Sequence, residues 1–106
     1  MNFEELGSNL GLEKDEFIEL VELFVTTTSE DINKLQVAYE NKDDNSAARA
    51  VHSIKGSSGN LGFIELSDIA KKAEELAGNN KLNEAVATLE IMKTKLNEIS
   101  EHLKKS

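Results

Sequence analysis

A histidine and a lysine one helical turn apart are the residues of this sequence best suited to chemistry. Residues 52–62 read His-Ser-Ile-Lys-Gly-Ser-Ser-Gly-Asn-Leu-Gly, and His52 is one of two histidines in the chain. An imidazole has a pKa of about 6.5, so its neutral and nucleophilic form predominates at neutral pH. The ammonium group of Lys55 can neutralise a phosphoryl group that arrives on the ring. The pair therefore indicates a histidine that takes and gives phosphoryl groups.

Two glycines in the same predicted helix indicate a surface that must stay free of side chains. Gly56 and Gly59 each cost roughly 1 kcal/mol relative to alanine inside a helix. A bare stretch of main chain lets a large partner approach closely. We therefore expect another protein to dock beside the histidine.

Hydrophobic periodicity places these residues on the outer face of their helix. Small or apolar residues spaced by four and three form the stripe that faces a core, namely Ala47, Val51, Ile54, Ser58 and Leu61. At about 100° per residue, His52 points away from this stripe and Gly56 lies nearly opposite it. Lys55, Gly59 and Arg49, the only arginine, flank the same outer face.

A long helix is predicted before the histidine helix, from about Lys14 to Asn41. Its inward stripe is Phe17, Val21, Phe24, Thr28, Ile32, Leu35 and Tyr39, broadened by Ile18 and Val25. The segment 26–29 is its weak point, because threonine and serine compete for backbone hydrogen bonds. We expect one helix in which this segment allows a bend. The alternative is two helices with Ser29 as an N-cap.

Turn and cap residues delimit the remaining helices. A polar turn over 42–45 offers Asp44 or Asn45 as the N-cap of the histidine helix, which ends near Leu61 at the left-handed Gly62. A helix over 64–77 and a turn at 78–80 follow, and the last helix spans about 81–104. The inward positions of these two helices are Leu66, Ile69, Ala73 and Leu76, then Leu82, Ala85, Leu89, Met92, Leu96, Ile99 and Leu103.

These elements predict an all-α fold. Short connections make successive helices antiparallel neighbours, so we expect an antiparallel up-down four-helix bundle with long outer helices and a shorter middle pair. A short extra N-terminal helix would lie over one end through Phe3, Leu6 and Leu10. The length of 106 residues fits a single domain over residues 1–106.

Composition narrows the function classes. The chain has no cysteine, so it has no disulfide framework and no thiolate metal site. It has neither a membrane-length apolar run nor a signal-peptide pattern, which favours a soluble cytoplasmic protein. A net charge of −8 argues against binding nucleic acid through a broad basic surface. The glycines lack the preceding strand and the Gly-Lys-Ser/Thr ending of a phosphate-binding loop. The sequence has no Glu-x-x-His pair with an inward-facing histidine, so a di-iron site is not expected.

The motif His52-x-x-Lys55-Gly56, followed by small residues and Leu61-Gly62, closely resembles the signature of histidine-containing phosphotransfer (HPt) domains. The surroundings resemble that family as well. They include an early Leu-Gly pair, the Phe-Ile-Glu-Leu-Val-Glu-Leu-Phe run, the Asn-Lys-Asp-Asp turn before the histidine helix and the later Gly-Asn-Asn turn. The resemblance covers nearly the whole chain.

The resemblance implies a phosphocarrier without its own ATP site, serving the receiver domains of response regulators in multistep phosphorelays. His52 would be phosphorylated on Nε2, Lys55 would help hold the phosphoryl group, and Gly56 would clear room for the receiver. A carboxylate on the following helix, at Glu74, would accept a hydrogen bond from Nδ1, and Lys71 would add positive charge nearby. The receiver would supply Mg²⁺ and an aspartate, so no cofactor is expected on this chain.

Two alternative functions of the chain stay open. The chain could be the phosphoacceptor module of a larger or hybrid sensor histidine kinase, or an adaptor bundle that binds a receiver without chemistry. The initial Met1 and a plain polar tail favour a complete small protein, and a filled bundle favours a monomer.

The ordinary reading of the flanking charges is also open. Glu74 could be one of many solvated acids, and Arg49 and Lys71 could be ordinary surface cations. Ser57 and Ser58 lack an acid–base partner, so a serine nucleophile is not expected. His102 is expected to face solvent near the C-terminus.

Overall fold

Five α-helices make up the computed structural model of the chain, which describes residues 1–79 and 81–106. The helices are α1 (Phe3–Asn9), α2 (Lys14–Glu40), α3 (Asp44–Leu61), α4 (Ile64–Gly78) and α5 (Leu82–Lys104). The described residues contain no β-strand, so the all-α prediction is confirmed. Helix α4 extends one residue further than predicted, into Gly78. Asn80 and the side chain of Leu82 lie outside the described residues, so the third turn residue and the first inward position of α5 are not assessed.

Helix α2 is continuous through its threonine-rich segment. The hydroxyl groups of Thr26 and Thr27 donate to the carbonyl oxygens of Glu22 and Leu23, at 3.2 and 3.0 Å. Because these bonds return to the preceding turn of the same helix, they leave the backbone ladder intact. The alternative of two helices with Ser29 as an N-cap is therefore wrong.

Helix α3 begins one residue earlier than expected because its N-cap is Asp43, and neither Asp44 nor Asn45. The Asp43 carboxylate accepts from the Ser46 N–H at 3.1 Å and from the Ser46 hydroxyl at 2.7 Å. These hydrogen bonds hold the pKa of Asp43 below its usual value. At the other end, Gly62 adopts the predicted left-handed conformation, with φ of 88°.

The buried side chains form one core that follows the predicted stripes of α2, α3 and α5. All seven predicted positions of α2 are buried, whereas Leu61 and Leu103 at the ends of α3 and α5 are half-buried. Helix α4 differs from the prediction, since Ile69 and Leu76 are half-buried while Ala70 is fully buried. This helix packs against both α3 and α5, which centres its buried face on Leu66, Ala70 and Ala73.

Helices α2 to α5 pack in a ring, in which α2 and α4 each contact both α3 and α5. Helix α1 packs on α2. Phe3 of α1 is buried, and its ring lies edge-on to Phe17 and Phe63 at centroid distances of 5.7 and 6.3 Å. A Cβ atom at Gly7 would lie 2.9 Å from Phe17 Cβ, so only glycine permits this close approach.

One part of the α1 prediction is wrong. Leu10 lies beyond the end of the helix and is exposed, and the partly buried Leu12 packs against the core. Within the described residues, no helix is long and apolar enough to cross a membrane.

Candidate functional site

His52 lies on the outer face of α3, and 75% of its side chain is exposed to solvent. The buried stripe of α3, centred on Ile54 and Val51, points the opposite way into the core. The helix therefore presents the imidazole to any molecule that approaches this face.

Helix α4 brings Glu74 to both predicted chemical groups of α3. One carboxylate oxygen, Oε1, accepts a hydrogen bond from Lys55 Nζ at 2.9 Å. The other, Oε2, lies 3.7 Å from Nδ1 of His52, which is beyond hydrogen-bond length but close enough for electrostatic attraction to a positively charged ring. The expected association of Glu74 with Nδ1 is thus present as proximity, and the carboxylate faces Nδ1 rather than Nε2.

The electrostatics of this cluster keep Glu74 ionised. The hydrogen bond from Lys55 lowers the pKa of Glu74, opposed by partial desolvation and aided by the charges of Lys55 and His52. The negative charge of this carboxylate attracts a ring proton on Nδ1, the nitrogen it faces, more strongly than one on Nε2. Nε2 then carries the free lone pair, as a nucleophile requires.

Lys55 itself is already engaged. Lys55 lies one turn beyond His52 on α3, and its side chain is 30% exposed. Its ammonium group is paired with Glu74 of α4. The cation is therefore held beside the imidazole by α4 instead of extending freely into solvent.

The two interior glycines have different surroundings. A Cβ atom at Gly56 would meet nothing within 4 Å, so its main chain is open to solvent next to His52. A Cβ atom at Gly59 would lie 3.3 Å from Oγ of Ser67 on α4. The missing side chain of Gly59 therefore leaves room for Ser67, and Gly59 is itself exposed, so its place on the docking surface stays a prediction.

The flanking cations are both exposed but lie on different sides. Arg49 borders the groove between α2 and α3, and its charge helps to lower the pKa of Asp43. Lys71 lies on α4, one turn before Glu74, and forms no salt bridge among the described residues. Among the described residues, Glu74 is thus the predicted site residue that contacts the other two, Lys55 and His52.

Sequence reasoning missed two hydroxyl contacts that join α3 to its neighbours. Ser53 donates to a carboxylate oxygen of Asp31 on α2 at 2.7 Å, and Ser67 of α4 donates to the main-chain carbonyl of Lys55 at 3.0 Å. The position of Ser53 next to His52 was visible in the sequence, but its partner lies 22 residues away. Only the packing of the helices identifies such pairs.

The other serines and the second histidine have structural surroundings. Ser57 and Ser58 donate to carbonyl oxygens one turn earlier in α3, those of Ser53 and Ile54. His102 is half-buried, which corrects the expectation that it faces solvent. No group of three or more metal-binding side chains occurs in the described part of the chain.

Comparison with known proteins agrees with this geometry. The family model of the Hpt domain matches residues 19–102, which include the whole His52–Gly62 motif, so the chain belongs to the Hpt domain family. It is therefore a histidine phosphotransfer carrier of phosphorelays, a class of phosphocarriers rather than classical enzymes. Proteins of this class interact with the receiver domains of response regulators.

A solved structure gives a particular relative. The chain is similar to histidine-containing phosphotransfer protein B (HptB) from Pseudomonas aeruginosa PAO1, with 28% sequence identity and a TM-score of 0.86. The match covers 99% of this chain and 91% of that one. A search of curated proteins found no match.

Proposed function

We propose that His52 is the phosphoacceptor of this chain, taking a phosphoryl group from the aspartyl phosphate of one receiver domain and passing it to another. The observation that carries this proposal is an exposed imidazole whose Nδ1 faces an ionised carboxylate, at 3.7 Å from Glu74 Oε2. That arrangement supports Nε2 as the attacking atom.

The transfer step balances with the groups present. The Nε2 lone pair attacks phosphorus, the bond from phosphorus to the receiver's aspartate oxygen breaks, and the aspartate leaves as a carboxylate. The ring retains its proton on Nδ1 and becomes positively charged, and Glu74 stabilises that charge. The reverse step passes the phosphoryl group to the next receiver.

Lys55 supplies positive charge for the transferred group. Its ammonium group carries three donors and makes a single described contact, with Glu74, so two donors are available to phosphoryl oxygens. Because Glu74 holds Lys55 next to the ring, little side-chain entropy is lost when the phosphoryl group arrives.

Docking of the receiver uses the open main chain at Gly56. We assign Arg49 and Lys71 to the two flanks of the same surface, where their charges would meet acidic groups of the partner. The receiver supplies the Mg²⁺ and the aspartate, and this chain binds no cofactor and has no ATP site of its own.

The molecular context also belongs to the proposal. The ring of contacts among α2 to α5 supports an antiparallel up-down four-helix bundle, with residues 1–106 as a single domain. We favour a cytoplasmic monomer that acts as a separate carrier. The alternative is the same chemistry within a hybrid sensor histidine kinase, which the size of the full-length product would reveal.

Phosphotransfer from a labelled receiver domain tests the proposal. We expect label to reach the chain in an acid-labile, base-stable form and to fall to background in His52→Gln. His102→Gln is the matched control, because it alters the other histidine and should retain full labelling. Labelling that persists in His52→Gln would refute the assignment.

The adaptor alternative has its own outcome in the same experiment. If receivers bind the wild-type chain but never label it, and if His52→Gln binds them equally well, the chain is a binding module without chemistry.

A further inference from the structure

Residue Lys55 is attached to α4 at two points. Its ammonium group pairs with Glu74 Oε1 at 2.9 Å, and its main-chain carbonyl accepts the Ser67 hydroxyl at 3.0 Å. Ser67 and Glu74 are seven residues apart, which puts them on one face of α4 and about 10 Å apart along its axis. One residue of the candidate site is therefore held by two successive contacts with the neighbouring helix.

The contact at Ser67 depends on a glycine. A Cβ atom at Gly59 would lie 3.3 Å from Ser67 Oγ, which is tighter than ordinary van der Waals contact, and 4.0 Å from Ser67 Cβ. An alanine at position 59 would thus press on the hydroxyl group but not on the rest of the Ser67 side chain. Gly59 leaves the space in which this hydrogen bond forms.

The position of α4 sets the distance between the Glu74 carboxylate and the His52 imidazole. The Glu74 carboxylate is the group that faces Nδ1 of His52. It reaches the ring because of the separation and rotation of α4 against α3. A shift of a few tenths of an ångström at Ser67 would alter the 3.7 Å separation between Oε2 and Nδ1. Ser67 and Glu74 lie on the same helix, so a displacement of α4 at Ser67 would also move Glu74.

We propose that Ser67 and Gly59 are positioning residues, which set α4 against α3 so that Glu74 orients His52 and holds Lys55. This inference rests on the proposed function of His52. It also gives a reason for the second interior glycine that does not involve the receiver.

Four variants test the inference, namely Ser67→Ala, Gly59→Ala, the double variant and the control Gly78→Ala. Gly78 suits the control because, unlike at Gly59, a Cβ atom there would meet nothing within 4 Å, and it lies at the far end of α4. NMR of the ring nitrogens reports the tautomer of His52 without any partner, and His102 serves as an internal reference. The rate of phosphorylation by phosphoramidate, a small donor, reports the nucleophile without any docking surface.

Both single variants should move the His52 ring toward the Nε2–H tautomer and slow phosphorylation by about twofold to tenfold, the range set by one hydrogen bond. The double variant should resemble Ser67→Ala alone, because the added Cβ then has no hydroxyl to displace. Gly78→Ala and the His102 resonances should be unchanged.

Two results would overturn the inference: an unaltered His52 ring in both folded single variants, or effects that simply add in the double variant. Failure of the proposed function looks different, because the wild-type chain would then accept no phosphoryl group from phosphoramidate or from a receiver. The tautomer measurement still decides the positioning role in that case.

Discussion

The two histidines lie on similar amphipathic helices but in opposite kinds of surroundings. His52 is exposed, faces a carboxylate and borders the bare main chain at Gly56. His102, in the last turn of α5, packs its ring edge-on to Phe3 at a centroid distance of 4.6 Å. The first arrangement leaves a nucleophile accessible, and the second uses the ring as a packing surface for α1. Residue type alone therefore does not identify the working histidine, whereas its neighbours do.

The comparison predicts that substitutions around His102 affect the stability of the fold, whereas substitutions at His52 affect phosphotransfer and leave stability almost unchanged. Phe3→Ala removes a buried ring that contacts Phe17, Phe63 and His102. We expect the free energy of unfolding to fall by about 3–5 kcal/mol, as measured by urea denaturation. His52→Gln, which alters an exposed side chain, should change it by less than about 0.5 kcal/mol. Equal losses in the two variants would contradict the separation.

Gly56→Leu tests whether the open main chain beside His52 is needed for docking of the receiver. Nothing lies within 4 Å of the added Cβ position, and leucine is the better helix former, so the fold should be retained or slightly stabilised. The receiver's approach should be obstructed, with affinity weakened by about tenfold or more, equivalent to at least about 1.4 kcal/mol. Isothermal calorimetry against a receiver domain measures this change.

Gly78→Leu is the matched control for that substitution, since Gly78 is equally open but lies at the end of α4. Unchanged receiver affinity in a folded Gly56→Leu variant would remove Gly56 from the docking surface.

The smallest expected effect concerns the pH dependence of stability at Glu74. Its pKa is lowered in the folded chain from the ordinary value of 4.5, mainly by Lys55. A lowered pKa means that the contribution is complete above about pH 4.5 and is lost as the pH falls through the folded-state pKa. Because the carboxylate is partly exposed, this contribution should be below about 1 kcal/mol.

Urea unfolding at pH 7 and pH 3 measures that contribution. Glu74→Gln should be less stable than wild type at pH 7, and the difference should be smaller at pH 3. Glu75→Gln, which changes the exposed neighbour, should show no such dependence. A difference between Glu74→Gln and wild type that is as large at pH 3 as at pH 7 would assign the loss to packing instead of charge.

The helices were predictable because their signals are local. The stripe from Phe17 to Tyr39 repeats every three or four residues, and Gly62 ends α3 because only glycine adopts a positive φ without strain. Two of the errors were local as well: the N-cap of α3 is Asp43 instead of Asp44 or Asn45, and Leu12 packs on the core instead of Leu10. In both cases residues close together in the chain could fill the same structural position, and the sequence pattern does not distinguish them.

By itself, the sequence determined the outer face of α3, because helical periodicity places His52 and Gly56 away from the buried stripe and Lys55 on the flank of the outer face. The sequence distinguished the roles of Gly56 and Gly59, and of His52 and His102, only through the residues next to them in the chain. Only the tertiary structure decided that Glu74 stands between Nδ1 and Lys55, that Gly59 makes room for Ser67, and that His102 packs on Phe3. The physical reason is that these contacts depend on the separation and rotation of whole helices. Those quantities come from the packing of the complete core, and no short stretch of sequence encodes them.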